Sequence, residues 1–146
     1  MRFLHISLKP LFAICLLGSQ FAASRTTIVT DNVPMVITGA VITALGILLF
    51  ISASISLNKA LRKNGIAMTG PYRYIRHPIY LVIYIFSIGL GLLFYTWVWF
   101  LVLALFLPLW YMVAKDEEKQ MTALHGNEYA VYRTRTGMFL PKIGLR

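Results

Sequence analysis

Long runs without a charged residue set the pattern of this chain. The run from Val33 to Leu57 is long enough to cross a bilayer with some tilt. A second run extends from Pro78 to Ala114. As one helix it would measure roughly 55 Å at ~1.5 Å per residue, against a hydrocarbon core of about 30 Å. The second run therefore predicts two crossings, with a tight reversal near Tyr95-Thr96-Trp97.

Glycines interrupt both runs at points where helices can pack closely. Gly39 and Gly46 lie within the first run and allow a second helix to approach. The triplet Gly89-Leu90-Gly91 lies in the middle of a predicted span. We interpret it as a helix-packing feature, since no dinucleotide-binding motif of the kind found in soluble proteins is present.

The N-terminal segment is open to two interpretations. Arg2 and Lys9 precede an apolar stretch, and Ala22-Ala23-Ser24 follow it. This pattern fits a cleaved signal peptide as well as a retained first span. We expect a retained span over about residues 10–24, because the chain that follows is itself embedded in the membrane.

The C-terminal part of the chain is polar. Residues 115–146 form a predicted tail, with a helical stretch through Glu128 and Tyr132. The expected fold is an all-α integral membrane protein of one domain, with about four transmembrane helices and a cytoplasmic C-terminal helical tail. The expected spans are about 10–24, 33–57, 78–95 and 97–114.

Composition supports the membrane class and fixes an orientation. The chain is 58% hydrophobic and only 13% charged, whereas soluble domains average about 25% charged residues. With four spans and the N-terminus inside, Arg25 is the only outer residue among 14 lysines and arginines. The net charge of +9 is therefore explained by an anionic cytoplasmic leaflet, without a nucleic acid partner. No metal-ligand spacing is present, and the single Cys15 excludes an internal disulfide.

The segment before the second run carries the candidate chemistry. Arg73, Arg76 and His77 lie against the start of a membrane span, where such groups usually pair, face a cavity or do chemistry. Pro78 is suited to be the first helical residue, so the positive end of a helix lies beside these arginines. This combination predicts a site for a carboxylate or phosphate. The competing interpretation is that the arginines hold the membrane interface and that His77 only caps the helix.

An acidic pair closes the far end of the same run. If the run folds back on itself, Glu117 and Glu118 come out on the same side as the basic segment. Two adjacent carboxylates can be a solvated helix face, or they can hold the ammonium or ribose hydroxyls of a ligand. Tyr80, Tyr129 and Tyr132 can place rings beside a cation.

These motifs together resemble a known superfamily. The string G-P-Y-R-Y-I-R-H-P-I-Y, an apolar hairpin, E-E, H-G-N-E-Y-A-V-Y-R and a terminal F-L-P are similar to isoprenylcysteine carboxyl methyltransferases and phospholipid methyltransferases. These are integral-membrane enzymes that use S-adenosylmethionine, and the resemblance covers about residues 58–142. It implies a cofactor pocket, to which Arg73 is added for its charge. The expected cofactor-binding residues are Arg73, Arg76, His77, Pro78, Tyr80, Glu117 and Glu118, and the expected catalytic residues are Arg76, His77 and Arg133.

The resemblance implies methyl transfer from S-adenosylmethionine to a lipophilic acceptor. The acceptor is a carboxylate such as prenylated cysteine, or a lipid amine. The expected location is a multi-pass position in a membrane such as the bacterial inner membrane, with the site facing the cytoplasm. The sequence departs from the usual pattern in two places: at Val82, where a small residue is common, and at Thr136-Gly137-Met138, where a Val-Pro-Arg-like sequence is common. The alternatives are a diverged or non-enzymatic membrane protein and a membrane oxidoreductase similar to sterol reductases.

Overall fold

The structure is a computed structural model that describes residues 18, 21, 32–94 and 97–142, except for the side chains of Trp97 and Val98. Within these residues the chain is all-helical, as the sequence predicts. Helix α1 is Val33–Leu61, α2 is Pro78–Leu93 and α3 is Trp97–Arg135, and a 3-10 turn covers Gly70–Arg73. The predicted span over residues 10–24 lies outside the described residues apart from Gly18 and Phe21, so the number of four spans stays a prediction.

Two of the helices are long and apolar enough to cross a membrane. They are Val33–Leu61 and the part of α3 from Trp99 to Arg135. Helix α2 is a shorter apolar helix. The predicted reversal falls between Leu93 and Trp97, although residues 95 and 96 are outside the described part of the chain.

Helix α1 begins at a cap that the local sequence supplies. The side chain of Asn32 accepts a hydrogen bond of 3.2 Å from the backbone N–H of Met35, and Pro34 lies in the first turn, where its missing N–H has no helical partner to lose. The helix ends before Asn64, whose φ of 48° turns the chain toward the polar connection.

Glycines bring the backbones of α1 and α2 into contact. A Cβ added to Gly89 would lie 2.6 Å from the backbone nitrogen of Thr43, and one added to Gly39 would lie 2.7 Å from that of Leu93. Further along, a Cβ on Gly46 would meet Phe86 at 3.1 Å. The helices therefore run antiparallel, and the predicted role of these glycines in packing is confirmed.

Helix α3 folds back along α2. The indole N–H of Trp99 donates to the carbonyl of Ser87, and the Tyr84 hydroxyl donates to the carbonyl of Leu103 at 3.1 Å. Toward the start of α2, the rings of Tyr80 and Trp110 lie 4.5 Å apart between centroids. This antiparallel arrangement carries α3 past the N-terminus of α2.

The last part of α3 is set off by a break at Gly126. This glycine has φ 52° and ψ −122°, so residues 127–135 form a separate helical stretch, called here the closing helix. The predicted helix through Glu128 and Tyr132 is thereby confirmed. After it, Gly137 pairs with Ile75 in an isolated parallel bridge, which holds the tail against the segment before α2.

Candidate functional site

The candidate site lies where the start of α2 meets α3 and the closing helix. Its centre is an ion pair in which Nε of Arg76 approaches Oε1 of Glu118 at 2.6 Å. The two side chains are only 10% and 4% exposed. A carboxylate at such depth is costly to bury unless it is paired and hydrogen-bonded, and Arg76 meets that requirement.

The same guanidinium also holds the end of the closing helix. Its Nη1 donates to the carbonyl of Arg133 at 3.3 Å and to the carbonyl of Thr136. A helix ends with carbonyls that lack intrahelical partners and with the negative end of its dipole, so an arginine is favourable there. Arg76 therefore joins α3, the closing helix and the start of α2.

His77 follows Arg76 at the N-cap position of α2, yet its side chain makes no capping hydrogen bond. The imidazole is buried, with 8% of the side chain exposed. Nδ1 lies 3.4 Å from Oε2 of Glu117, and Nε2 lies 3.5 Å from Oε1 of Glu118. Nε2 nevertheless makes no hydrogen bond. The imidazole therefore does not cap α2 through a side-chain hydrogen bond.

Aromatic rings line both sides of this imidazole. The ring of Tyr80 is stacked on it at 5.4 Å between centroids, and Phe139 is tilted against it at 5.8 Å. Behind Tyr80 lies the buried Trp110. These rings form an apolar wall around the imidazole, and Nε2 of His77 is a buried nitrogen without a hydrogen bond.

The two glutamates have different surroundings. Glu118 is buried and faces Arg76, whereas the side chain of Glu117 is 25% exposed. The hydroxyl of Tyr80 is in hydrogen-bonding contact with Glu117. Glu117 also acts on Tyr72, because burial and then this carboxylate raise the pKa of Tyr72 to about 12. Glu118 thus holds the buried part of the site together through Arg76, whereas Glu117 lies at the more exposed edge of the site.

The closing helix supplies two tyrosines and an arginine. Tyr132 donates a hydrogen bond of 2.7 Å to the carbonyl of Tyr72. Nε of Arg133 lies 3.5 Å from Oε2 of Glu118, and its side chain is 44% exposed. Burial and then the Glu118 carboxylate raise the pKa of Tyr129 to about 12, with Arg76 and Arg133 opposing that shift. Tyr129 is therefore a neutral phenol throughout the physiological range.

The tail after the closing helix completes the enclosure through its backbone. The N–H of Arg76 donates to the carbonyl of Gly137 at 2.8 Å, and the N–H of His77 donates to that of Met138 at 3.1 Å. Lys142 adds hydrogen bonds to the carbonyls of Arg133 and Thr134, at 3.0 and 2.8 Å. The tail is thus bonded to the two residues that lead into α2.

The structure brings together most of the predicted site residues. Arg76, His77, Tyr80, Glu117, Glu118 and Arg133 share the cluster, and Pro78 is fully buried as the first residue of α2. Arg73 lies exposed in the 3-10 turn and makes no ion pair within the described part of the chain.

Sequence reasoning missed three contributors to the site. Trp110 is hidden in an uncharged run where every residue suits a span, and its only signal is its place near the end of the run that returns past Tyr80. Thr136 is buried and its carbonyl receives Arg76, but a backbone acceptor has no sequence signature. Phe139 belongs to the terminal F-L-P motif, which was noted only as part of a resemblance.

The chain was compared with known proteins and protein families. Residues 34–128 match the family described as phospholipid methyltransferase. The matched range contains α1, α2 and α3 up to the start of the closing helix, and therefore His77 and the glutamate pair. No curated protein and no solved structure shows significant similarity to the chain.

Proposed function

The chain belongs to the phospholipid methyltransferase family, and from that membership we propose that it moves a methyl group from S-adenosylmethionine to a lipophilic acceptor at a membrane. The family implies methyltransferase activity in general, and the two long apolar helices support a place in the membrane. The observation that carries the proposal within the site is the buried imidazole of His77. It lies between two carboxylates and has a nitrogen without a hydrogen bond.

The residues present fit S-adenosylmethionine, which supplies a methyl group on a positively charged sulfur and also bears an ammonium and a carboxylate. The Glu117 carboxylate and the ring of Tyr80 suit a cationic centre. Nε2 of His77 is a buried polar atom that can bond a ligand group. The N-terminal end of α2, which begins at Pro78, favours a carboxylate. Together these groups match both signs of charge on the cofactor.

Methyl transfer to a nucleophile needs alignment and a dry site more than it needs acid–base help. The packed rings of His77, Tyr80 and Phe139 exclude water from one side of the cluster. A carboxylate acceptor such as prenylated cysteine is already ionised and needs no base. A lipid amine has to lose a proton, and His77 or Glu117 would then accept it.

The proposed orientation places the site at the cytoplasmic face of a multi-pass protein. The connection between α1 and α2 carries exposed Arg62, Lys63 and Arg73, and the closing helix carries Arg133 and Arg135. Lysine and arginine accumulate on the cytoplasmic side of membrane proteins. The basic connection and the closing helix are joined through Arg76, which supports one shared side.

The test is a transfer assay with S-adenosylmethionine labelled in its methyl group. Purified protein in detergent is incubated with a total membrane lipid extract, and label in the organic phase is counted. We expect label to accumulate, and Glu117→Gln to reduce it strongly. Base treatment then identifies the acceptor, because a methyl ester releases labelled methanol whereas an N-methyl group keeps its label. The absence of transfer, together with the absence of binding of S-adenosylmethionine, would overturn the proposal.

A further inference from the structure

The guanidinium of Arg76 is engaged by the protein itself. Its Nε is bonded to Glu118, and its Nη1 is bonded to the carbonyls of Arg133 and Thr136. These acceptors come from α3, the closing helix and the first residue after that helix. Since the side chain is 10% exposed, it has little surface left to offer a ligand.

From this geometry we propose that Arg76 is a positioning residue, which fixes the closing helix and the His77 ring, and is not a contact to the cofactor carboxylate. The proposal rests on the proposed function for the identity of the ligand, but its structural part concerns the protein alone. It differs from the prediction made on charge and position, in which Arg76 binds the anion directly.

The consequence of this role follows from what the closing helix carries. If Arg76 loses its bonds, the carbonyls of Arg133 and Thr136 lose their donor and Glu118 loses its closest cation. The closing helix is then bonded less firmly at its C-terminal end. At its N-terminal end, the backbone of Gly126 already departs from helical geometry. Arg133 would no longer be held beside Glu118.

The position of His77 depends on the same contacts. His77 is the next residue after Arg76, and its N–H is bonded to the carbonyl of Met138 just beyond the closing helix. Its ring reaches Glu117 and Glu118 only while this backbone stays in place. A guanidinium that orients the histidine backbone can therefore control cofactor affinity without touching the cofactor.

The decisive experiment pairs a change in the protein with a change in the ligand. Wild type and Arg76→Lys are titrated by calorimetry with S-adenosylhomocysteine and with its decarboxylated analogue. Arg62→Gln, at an exposed arginine just after α1, is the matched control. We expect Arg76→Lys to weaken the binding of both ligands by about the same factor, roughly tenfold. The ratio of the affinity for S-adenosylhomocysteine to the affinity for the decarboxylated analogue is then unchanged. If this ratio falls toward one in Arg76→Lys but not in the control, Arg76 contacts the carboxylate directly and the proposal is overturned.

A second measurement needs no ligand. Amide hydrogen exchange of the apo protein should rise at least tenfold over residues 127–138 in the Arg76 variant and stay unchanged in α1. If Arg76→Lys does not fold, Arg76→Met combined with Glu118→Leu removes both buried charges and leaves neither unpaired. We expect that protein to fold with the same local loss of protection. Full protection of residues 127–138 would overturn the proposal, whereas failure of the wild type to bind either ligand would count against the proposed function only.

Discussion

Arg76 and Glu118 are separated by 42 residues along the chain, yet Nε and Oε1 meet at 2.6 Å in a nearly buried ion pair. Arg76 precedes the short helix α2, and Glu118 lies past the apolar half of α3. Their contact is possible because α3 returns antiparallel to α2. The pair therefore reports directly on whether the hairpin of the two helices is formed.

The two adjacent glutamates should respond differently to the same substitution. Glu118→Gln leaves the buried Arg76 without its anion, and we expect the free energy of unfolding to fall by about 3 kcal/mol. Glu117→Gln affects a more exposed group, and we expect a loss below about 1 kcal/mol. Chemical denaturation in detergent measures both. Equal losses would contradict the division of roles between the two carboxylates.

Among variants that remain folded, Glu117→Gln should reduce ligand affinity more than Glu118→Gln does. Glu117→Gln should weaken the binding free energy of S-adenosylhomocysteine by roughly 1.5–3 kcal/mol, the range for a hydrogen bond to a charged group. Calorimetry on the purified protein gives this value. Lys119→Gln, at an exposed residue two positions further along α3, is the control and should bind like the wild type. Unchanged affinity in Glu117→Gln would return this carboxylate to a solvated helix face.

His77→Asn separates a capping residue from a ligand-binding ring. Asparagine is a good capping residue, so the start of α2 should keep its stability. The substitution removes the ring that stacks on Tyr80, and we expect cofactor affinity to fall at least tenfold, about 1.4 kcal/mol. His125→Asn removes the histidine just before the break at Gly126 and serves as control. Wild-type affinity in His77→Asn would show that the imidazole is not needed for binding.

Much of this site was predictable from the order of apolar and charged segments. The uncharged run after Pro78 is too long for one crossing, so it has to reverse, and the reversal places Arg76 and His77 beside the glutamate pair. The start of α2 was also predictable, because Pro78 disfavours helical geometry at the residue before it and is itself suited to be the first residue of a helix.

The bonding partners within the site were not predictable in the same way. Sequence order places Arg76 on the same side as Glu118, but it does not tell whether the guanidinium bonds to a ligand or to the protein. The carbonyls of Arg133 and Thr136 that receive it are backbone atoms, which every residue possesses. The break at Gly126 did carry a signal, because glycine and the following Asn127 both disfavour a helix interior, but the sequence analysis predicted a helical stretch there without placing a break. The bridge between Gly137 and Ile75 is a single backbone pairing, and no periodic pattern of apolar residues in the sequence predicts it.

Gly137 should be among the least replaceable residues of the tail. A Cβ at this position would collide with the carbonyl oxygen of Leu140 and would lie 3.3 Å from the backbone nitrogen of Lys142. We expect Gly137→Ala to destabilise the protein by about 3 kcal/mol, at the upper end of overpacking costs. Gly65→Ala is the matched control, since its Cβ would meet only the carbonyl of Lys63 at 3.9 Å. A thermal midpoint equal to that of the control would contradict the tight turn after Gly137.

The stability of the fold should depend on pH in the alkaline range through Tyr129. Its pKa is raised from 10.0 to about 12, so the folded protein holds this proton more tightly than the unfolded chain. The resulting stabilisation is complete below about pH 10 and is lost as the pH rises through about 12. Thermal midpoints should be level near neutrality and fall over that interval, less steeply in Tyr129→Phe. A Tyr129→Phe slope equal to that of the wild type would refute the assignment.

The membrane arrangement can be tested by cysteine labelling in a Cys15→Ser background. Lys63→Cys and Asn127→Cys should label from the cytoplasmic side, and Phe94→Cys should label from the opposite side. The reason is that α2 and α3 run antiparallel, with Phe94 at the far end of the hairpin. Labelling of all three positions from one side would exclude a crossing by the hairpin.

The pairing of the tail with the segment before α2 also fixes an order of assembly. During synthesis, the N-terminal parts of a chain are available to fold first, so α1 and α2 can associate before the tail has been made. Thr136 lies 60 residues after Arg76, and its carbonyl is one of the acceptors that hold Arg76 in place. The helices can thus be inserted while the site is still incomplete. A nascent chain would pass through the membrane-inserted stage without the enclosed histidine, and competence for chemistry would arrive only once the segment after the closing helix has been made.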